Sequence, residues 1–374
     1  MPIQKILCVF GTRPDAIKMA PVVLELARRT NEFDVRVAVT GQHREMLDQV
    51  LSVFKIKPDF DLNIMQHGAN LAQVTTRSLS GLDPILEAEK PDWVLAQGDT
   101  TTTFVAALGA FYHRAKFGHV EAGLRTGNKY DPFPEEMNRL LTTRLATLHF
   151  APTADAAANL RAEHVTDDVI VQTGNTVIDA LLDVARRDDV AVEDPAVREI
   201  LEEERRVILV TAHRRENWGE PMERIAQAVK ILVESHPDTV AVVAMHRNPI
   251  VRETLVPILG KLDRVRLIEP PDYVPFVKLE QKATLVLTDS GGVQEEAPGL
   301  GKPVLVLRET TERPEGVAAG TAKLVGTDVE RIVAEASRLL DDPQAYAAMA
   351  RAVSPYGDGQ SSARIADALT AYRG

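Results

Sequence analysis

Three carboxylate side chains stand where the chain leaves a predicted strand or begins a predicted helix. Asp99 follows the apolar run WVLAQ, Glu121 follows FGHV, and Glu135 opens a helix after a proline. Because the carboxyl ends of parallel strands meet at one edge of a sheet, these groups would share a partly desolvated cleft that raises at least one pKa. That arrangement indicates proton transfer. The alternatives are a helix N-cap for Asp99 and, in the first helical turn that Glu135 shares with Glu136, an ordinary helix-start charge, which we assign to Glu136.

Two cations, Arg13 and Lys18, lie within and just beyond the segment GTRPD at 11–15. Gly11 permits a tight turn, and exposed backbone N–H groups at the start of the following helix would face an anion. The segment is typical of a phosphate-binding turn, although a turn with solvated charges also fits it. It is neither a Walker loop nor a dinucleotide fingerprint, because the required glycine spacings are missing.

In the second half of the chain, His213 and His246 each end a predicted strand and are each followed by arginine. Two histidines on neighbouring strand ends favour a site that handles an anion or a proton. We predict no metal site, because no His, Cys or Asp triad has ligand spacing and the arginines would repel a cation.

A glycine-rich helix start follows the apolar run TLVLTD, with Ser290, Gly291 and Gly292 in succession. Backbone amides at such a start, together with the serine hydroxyl, can bind a diphosphate. Glu296 lies further along the same helix and could accept both hydroxyls of a ribose. A solvated helix face is the alternative for Glu296.

Short apolar runs alternate with stretches of helical periodicity, which predicts an α/β fold of two doubly wound domains, each a parallel sheet covered by helices. The charged segment 186–206 is predicted to connect the domains. The helix at 359–372 is expected to return to the first domain. The predicted strands are 5–10, 35–40, 93–97, 117–120 and 169–173, then 207–212, 239–245, 264–270, 284–289 and 303–308.

Composition excludes several classes of function. The 374 residues are 45% hydrophobic, enough for two cores. A net charge of -11, from 43 Lys and Arg against 54 Asp and Glu, disfavours a nucleic-acid partner. The one cysteine, Cys8, allows no internal disulfide. The chain has no apolar run of about 18 residues and no leader pattern, so we expect no membrane span and a cytoplasmic location.

The motifs that carry these residues occur in a fixed order along the chain. They are GTRPD, QHREMLDQVL, DLNIM, GDTTTT, GHVEAGLRTG, PFPEEMNR, HFAPT, TGNTVIDAL, TAHRREN, LTDSGGVQEEAP, TTERPEG and SPYGDG. Over residues 3–372 the chain resembles the bacterial non-hydrolysing UDP-N-acetylglucosamine 2-epimerases. The resemblance implies two Rossmann-like domains of the GT-B type, with a UDP-sugar in the interdomain cleft, no cofactor, and a homodimer. The expected domains are 1–175 with a returning helix at 356–374, and 176–355.

The resemblance also implies roles for individual residues. Substrate and active-site positions of the family match Arg13, Lys18, Asp99, Glu121 and His213, and a further catalytic carboxylate matches Glu135. UDP-binding positions match Phe276 beside the uracil, Ser290, Gly291 and Gly292 on the phosphates, Glu296 on the ribose, and Arg313. At Pro271, where some members carry a side-chain amide, only the backbone carbonyl is left to contact the base.

Some family members bind a second UDP-N-acetylglucosamine as an activator. Gln42 and His43 match that site, and we assign His246 to it as well. An arginine of the activator site is replaced by Gly68, which argues against activation through the same contacts.

The sequence therefore predicts reversible epimerisation at carbon 2 of UDP-N-acetylglucosamine, by elimination and re-addition of UDP through 2-acetamidoglucal. One alternative is a hydrolysing epimerase, which releases UDP and N-acetylmannosamine. The other is a GT-B glycosyltransferase, which would not need three carboxylates on strand ends of the first domain. A nucleotide-sugar sensor without turnover is a further alternative.

Overall fold

The structure, a computed structural model, describes residues 2–41, 44–65 and 68–373. The chain divides into two compact units, Met1–Ala180 with Gly357–Gly374, and Leu181–Tyr356. Each unit is built on one parallel β-sheet with interleaved helices. The predicted fold class, α/β with two doubly wound Rossmann-like domains, is confirmed.

The sheet of the first unit has seven strands among the described residues. The strands are β1 (Gln4–Phe10), β2 (Phe33–Val39), β3 (Phe60–Asp61), β4 (Trp93–Gln97), β5 (Lys116–Val120), β6 (Leu148–Ala151) and β7 (Ile170–Gln172). The helices are α1 (Arg13–Arg28), α2 (Arg44–Val53), α3 (Leu71–Glu89), α4 (Thr101–Tyr112), α5 (Glu135–Leu145), α6 (Ala154–Ala162), the beginning of α7 (Thr176–Arg186), and the C-terminal α16 (Ser361–Ala371).

The strands of this sheet are ordered β3-β2-β1-β4-β5-β6-β7. The order reverses between β1 and β4, where helices leave in opposite directions and a crevice opens at the carboxyl ends of the strands. β1 is apolar and buried along most of its length because both faces of a parallel sheet are covered. The loops after β1 and β4 therefore lie side by side.

The second unit repeats this plan with a sheet of six described strands, ordered β10-β9-β8-β11-β12-β13. The strands are β8 (Arg206–Thr211), β9 (Thr239–Ala244), β10 (Val265–Ile268), β11 (Ala283–Thr288), β12 (Val304–Val306) and β13 (Ala322–Leu324). The helices are the rest of α7, α8 (Pro195–Leu201), α9 (Glu220–Ser235), α10 (Pro249–Leu259), α11 (Tyr273–Lys282), α12 (Gly291–Gly299), α13 (Pro314–Ala318), α14 (Val329–Asp341) and α15 (Pro343–Ala350).

Successive residues of β8 point into two different cores. Ile208 and Val210 pack in a cluster with α9, α10 and α14, whereas Val207 and Leu209 pack in a cluster with α8 and α11. This alternation follows from the pleat of a strand, whose side chains point to opposite faces in turn. The order of the strands reverses between β8 and β11, so the loops after these two strands lie side by side.

The segment 186–206 was expected to connect the two domains, and this expectation is wrong. The segment lies within the second unit. Val197 and Ile200 of its short helix α8 are buried in the apolar core, and α8 packs on α11. The Lys278 ammonium also donates hydrogen bonds to the carbonyls of Ala185 and Arg187. The prediction was wrong because it treated the high density of charged residues as a sign of a linker. A helix as short as α8 needs only a few buried apolar residues to pack against the domain.

Helix α16 packs on α1 in the first unit. The Asp179 carboxylate of α7 accepts hydrogen bonds from the backbone N–H groups of Ser361 and Ser362 and from the Ser362 hydroxyl. A carboxylate from another helix thus caps the start of α16. Over the described part of the chain, no helix is long and apolar enough to cross a membrane.

Candidate active site

Glu121 lies directly after β5 in a left-handed backbone conformation, with φ of 63°. This conformation is uncommon for a residue other than glycine, and strained residues of this kind are enriched at functional positions. The side chain is 6% exposed. Its carboxylate accepts hydrogen bonds from Lys18 Nζ at 2.6 Å, from Asn175 Nδ2 at 3.0 Å and from Gln97 Nε2. The structure therefore brings two predicted residues, Lys18 and Glu121, into one ion pair.

Asp99 lies in the turn after β4 and pairs with an arginine from α5. Arg139 donates from Nε at 2.9 Å and from Nη2 at 2.6 Å to Asp99 Oδ2. Asn138 donates to the Asp99 backbone carbonyl. The capping alternative for Asp99 is excluded, because Thr100 is the N-cap of α4. Two carboxylates of the predicted set thus sit at neighbouring strand ends, each paired with a cation.

Glu135 occupies the first turn of α5 and is half-buried. The next residue, Glu136, is almost fully buried and has a structural role. It accepts hydrogen bonds from the N–H groups of Thr126 and Gly127 and pairs with Arg139 at 3.0 Å. Glu136 therefore orients the arginine that binds Asp99.

The turn after β1 differs in one respect from the predicted phosphate-binding turn. Asp15 Oδ2 accepts hydrogen bonds from the N–H groups of Gly11 and Thr12 and from the Thr100 hydroxyl. Two backbone donors that were expected to face an anion are therefore already bound. Burial raises the pKa of the Asp15 carboxyl to about 6. The turn still carries the positive charge of Arg13, while Lys18, one helical turn further on, pairs with Glu121.

In the second unit, His213 follows β8 and is held by Asp289, a buried residue after β11. The Asp289 carboxylate accepts hydrogen bonds from the backbone N–H groups of His213 and Arg214 and lies 3.2 Å from His213 Nδ1. Desolvation lowers the pKa of His213, and Asp289 opposes this effect. The His213 ring stacks on His246, with centroids 5.8 Å apart. Asp289 Oδ1 lies beside Nδ1, so Nε2 is the ring nitrogen that points away from this carboxylate.

Two guanidinium groups approach the N-terminus of α12. A Cβ atom built on Gly291 would lie 3.7 Å from Arg214 Nη2 and 3.9 Å from Arg313 Cζ. Arg313 also pairs with Glu295. A helix start beside two arginines is a strongly anion-attracting position. The prediction from sequence included Arg313 but did not single out Arg214.

The predicted nucleoside-binding residues lie on the adjoining elements. Phe276 on α11 is partly buried against the apolar core, and Pro271 precedes that helix. Glu296 on α12 is half-buried. Burial, and after it the charge of Glu296, raise the pKa of Glu280 on α11 well above its usual range.

The expected activator residues Gln42 and His43 lie outside the described residues. Gly68 is exposed, with φ of 77°, and a Cβ atom built there would meet no atom of the described chain within 4 Å. Within residues 2–41, 44–65 and 68–373, no group of three or more His, Cys, Asp or Glu side chains is arranged to hold a metal ion.

Several residues that shape these sites were not identified from the sequence. Asn175, Arg139 and Asp289 contact predicted residues that lie 54, 40 and 76 positions away. Each of these three residues lies in one of the ordered motifs. The motifs therefore indicated the segments that form the sites, but not which side chains contact each other.

Comparison with known proteins identifies the family. The sequence model of the family described as UDP-N-acetylglucosamine 2-epimerase matches residues 25–370. A Salmonella typhimurium protein of that name is 56% identical, with 99% of each chain covered. The chain belongs to the UDP-N-acetylglucosamine 2-epimerase family. The predicted family is confirmed, and with it the prediction of an epimerase.

Solved structures agree with this assignment. A Listeria monocytogenes structure superposes with a TM-score of 0.93 at 52% identity, covering 98% of this chain and 96% of that chain. A Neisseria meningitidis UDP-GlcNAc 2-epimerase bound to UDP-GlcNAc has a TM-score of 0.83 at 49% identity, covering 98% and 99% of the two chains. A ligand of the predicted class is therefore bound by a close structural relative.

Proposed function

We propose that the protein interconverts UDP-N-acetylglucosamine and UDP-N-acetylmannosamine by elimination and re-addition of UDP. The observation that carries the proposal is the pairing of Glu121 with Lys18 on the sheet edge that also presents Asp99 and its partner Arg139. Such an edge offers carboxylates for proton transfer beside cations for a leaving diphosphate. Family membership and the UDP-GlcNAc-bound relative support the same substrate class.

The order of bond changes follows from the chemistry of the sugar. Carbon 2 carries a hydrogen that no adjacent carbonyl acidifies, so a carboxylate alone would not remove it at neutral pH. Cleavage of the bond between carbon 1 and UDP gives the ring oxocarbenium character and acidifies that hydrogen. The C2–H electron pair then forms the C1=C2 bond of 2-acetamidoglucal, UDP leaves as an anion, and a carboxylate takes the proton.

The return step inverts the centre. A carboxyl group delivers a proton to the opposite face of carbon 2, and a phosphate oxygen of UDP attacks carbon 1. The net reaction contains no oxidation or reduction. The proton leaves one face of carbon 2 and a proton is added to the opposite face, so more than one carboxyl group is required.

We assign the roles by chemical type. The candidates for proton transfer are Asp99, Glu121 and Glu135. The candidates for stabilising the departing diphosphate are Arg13, Lys18, His213 and Arg313, and the contacts at Gly291 add Arg214 to this set. UDP would be held by Pro271, Phe276, Ser290, Gly291, Gly292 and Glu296.

The test uses heavy water. Purified protein is incubated with UDP-N-acetylglucosamine in D₂O, and proton NMR follows both the appearance of the manno isomer and the signal of hydrogen on carbon 2. We expect both isomers at equilibrium, with deuterium at carbon 2 of each. Retention of protium at carbon 2 after equilibration would rule out elimination. Release of free N-acetylmannosamine would instead establish the hydrolysing reaction.

The resemblance also leads us to propose a homodimer. Light scattering on the eluted protein should give twice the chain mass of 41.0 kDa, and a single-chain mass would contradict it.

A further inference from the structure

The side chain of His119, two residues before Glu121 on β5, is completely buried. Its Nε2 atom lies 2.7 Å from the backbone carbonyl oxygen of Gly98. Because a carbonyl oxygen only accepts hydrogen bonds, Nε2 must carry the hydrogen. Nδ1 is buried and has no hydrogen-bond partner among the described residues. Burial lowers the pKa of His119 to about 4, so the ring is neutral near pH 7.

The Gly98 carbonyl belongs to the peptide that links Gly98 to Asp99. Gly98 adopts φ of 78°, which only glycine takes readily, and its N–H donates to the Val120 carbonyl. A Cβ atom built on Gly98 would lie 3.6 Å from Glu121 Oε2. The peptide that His119 holds is therefore next to both of the ion-paired carboxylates.

We propose that His119 is a positioning residue, which acts through the Gly98 carbonyl to hold Asp99 in register with Glu121. The inference rests on the proposed function, since Asp99 and Glu121 are candidates there for proton transfer. On the side of α5, Arg139 binds the Asp99 carboxylate and Asn138 binds the backbone carbonyl of Asp99. His119 restrains the preceding peptide from inside the sheet. Loss of one restraint would shift the carboxylate by a fraction of an ångström, and displacements near 1 Å can cost about 10²-fold in rate.

The chain provides a matched control in His149 on the neighbouring strand. His149 pairs in register with His119, is 2% exposed, and has an Nδ1 atom without a hydrogen-bond partner among the described residues. It makes no described hydrogen bond to the Gly98 turn. A loss of function common to both histidines would reflect the core, whereas a loss confined to His119 would reflect the turn.

The test compares His119→Gln, His119→Asn, His149→Gln and His149→Asn. The amide nitrogen of glutamine reaches the position of Nε2, whereas that of asparagine reaches only the position of Nδ1. We expect His119→Asn to lower kcat about 10- to 100-fold with KM and the Kd for UDP unchanged within about twofold. His119→Gln should recover most of the loss, and both His149 variants should keep kcat within about twofold of the wild type.

Equal kcat values for His119→Asn and His149→Asn would overturn the inference, as would a His119→Gln variant no better than His119→Asn. A measurement on the wild type guards against misfolded variants. In protein labelled with ¹⁵N histidine, the His119 ring at pH 7 should be neutral with hydrogen on Nε2, and hydrogen on Nδ1 would refute the proposal. An inactive wild type would reject the proposed function instead, and the ring state would still be measured.

Discussion

At the scale of single residues, the carboxylates that we assign to proton transfer are held by cations before any substrate binds. Lys18 pairs with Glu121, and Arg139 binds Asp99 through two nitrogens. Replacing either carboxylate by an amide therefore also removes a charge partner of a partly buried cation, although Arg139 would keep its ion pair with Glu136. Stability has to be measured beside activity, because an unpaired buried charge is itself destabilising.

The amide variants test the assignment. Asp99→Asn, Glu121→Gln and Glu135→Gln keep the shape of each side chain but abolish proton transfer. We expect each to lower turnover about 10²- to 10⁴-fold, because general acids and bases typically contribute that much. Each should still bind UDP through the second unit, measured by calorimetry.

Glu89→Gln is the matched control. Glu89 pairs with Lys5 at 3.2 Å. Lys5 lies near the start of β1, at the opposite end of the strand from the loop that carries Arg13. Its amide variant should turn over normally. Near-normal rates in all three site variants would show that these carboxylates serve only structural ion pairs and the start of α5, and the chemistry would then have to be sought at His213 and His246.

At the scale of elements, sequence reasoning succeeded where one physical signal dominates. Buried parallel strands are apolar runs, so the ends of β1, β4 and β5 could be predicted, and with them the shared edge that carries Asp99 and Glu121. The strands β3, β6 and β13 were not predicted, because each is short and interrupted by a polar residue, Asp61, His149 or Lys323. The equally short β12 was predicted because it lies in the continuous apolar run VLVL.

Pairings between elements were beyond the reach of the pattern. The contact of Arg139 with Asp99 depends on the position of α5 beside the loop that follows β4. The hydrogen bond from the His213 N–H to Asp289 depends on the adjacency of β8 and β11. Within one element, Thr12 and Asp15 form a local capping box, and Asp15 also accepts a hydrogen bond from the Gly11 N–H. Asp15 therefore competes with the anion that these amides were predicted to bind.

The start of α16 gives a prediction at this scale. Asp179→Ala removes a buried carboxylate that accepts three hydrogen bonds from Ser361 and Ser362. Loss of an N-cap typically costs about 0.5–2 kcal/mol, so the midpoint of unfolding should fall and the amides of α16 should exchange faster. Urea unfolding and hydrogen exchange measure the two effects.

The comparison is the ion pair between Asp367, which also lies on α16, and Arg29, which follows α1. Asp367 is 68% exposed, and such pairs contribute about 0–1 kcal/mol. Asp367→Ala should therefore have the smaller effect. If the two variants unfolded alike, the capping of α16 by Asp179 would have no special energetic role.

At the scale of the whole molecule, buried titratable groups make stability depend on pH in two opposing ways. Burial lowers the pKa values of His119 and His149 to about 4 and about 3. The folded chain then binds fewer protons than the unfolded one, so these groups lose their stabilising contribution as pH falls below about 6.5. Asp15, whose pKa is raised to about 6, has the opposite sign and costs stability as pH rises through 4 to 6.

The last prediction isolates one of these groups. His149→Gln replaces a buried ionisable ring by a neutral amide, so the variant should lose less stability on acidification than the wild type. One proton changes the free energy of unfolding by about 1.4 kcal/mol per pH unit, which gives a difference of about 1–2 kcal/mol between pH 6.5 and 5. Urea unfolding at both pH values would be followed by the fluorescence of Trp93 in a Trp218→Phe background, because Trp93 lies in the first unit and Trp218 in the second. His164→Asn, at an exposed position, should leave the pH dependence unchanged. If His149→Gln lost as much stability on acidification as the wild type, His149 would not be the group that couples proton binding to the unfolding of this unit.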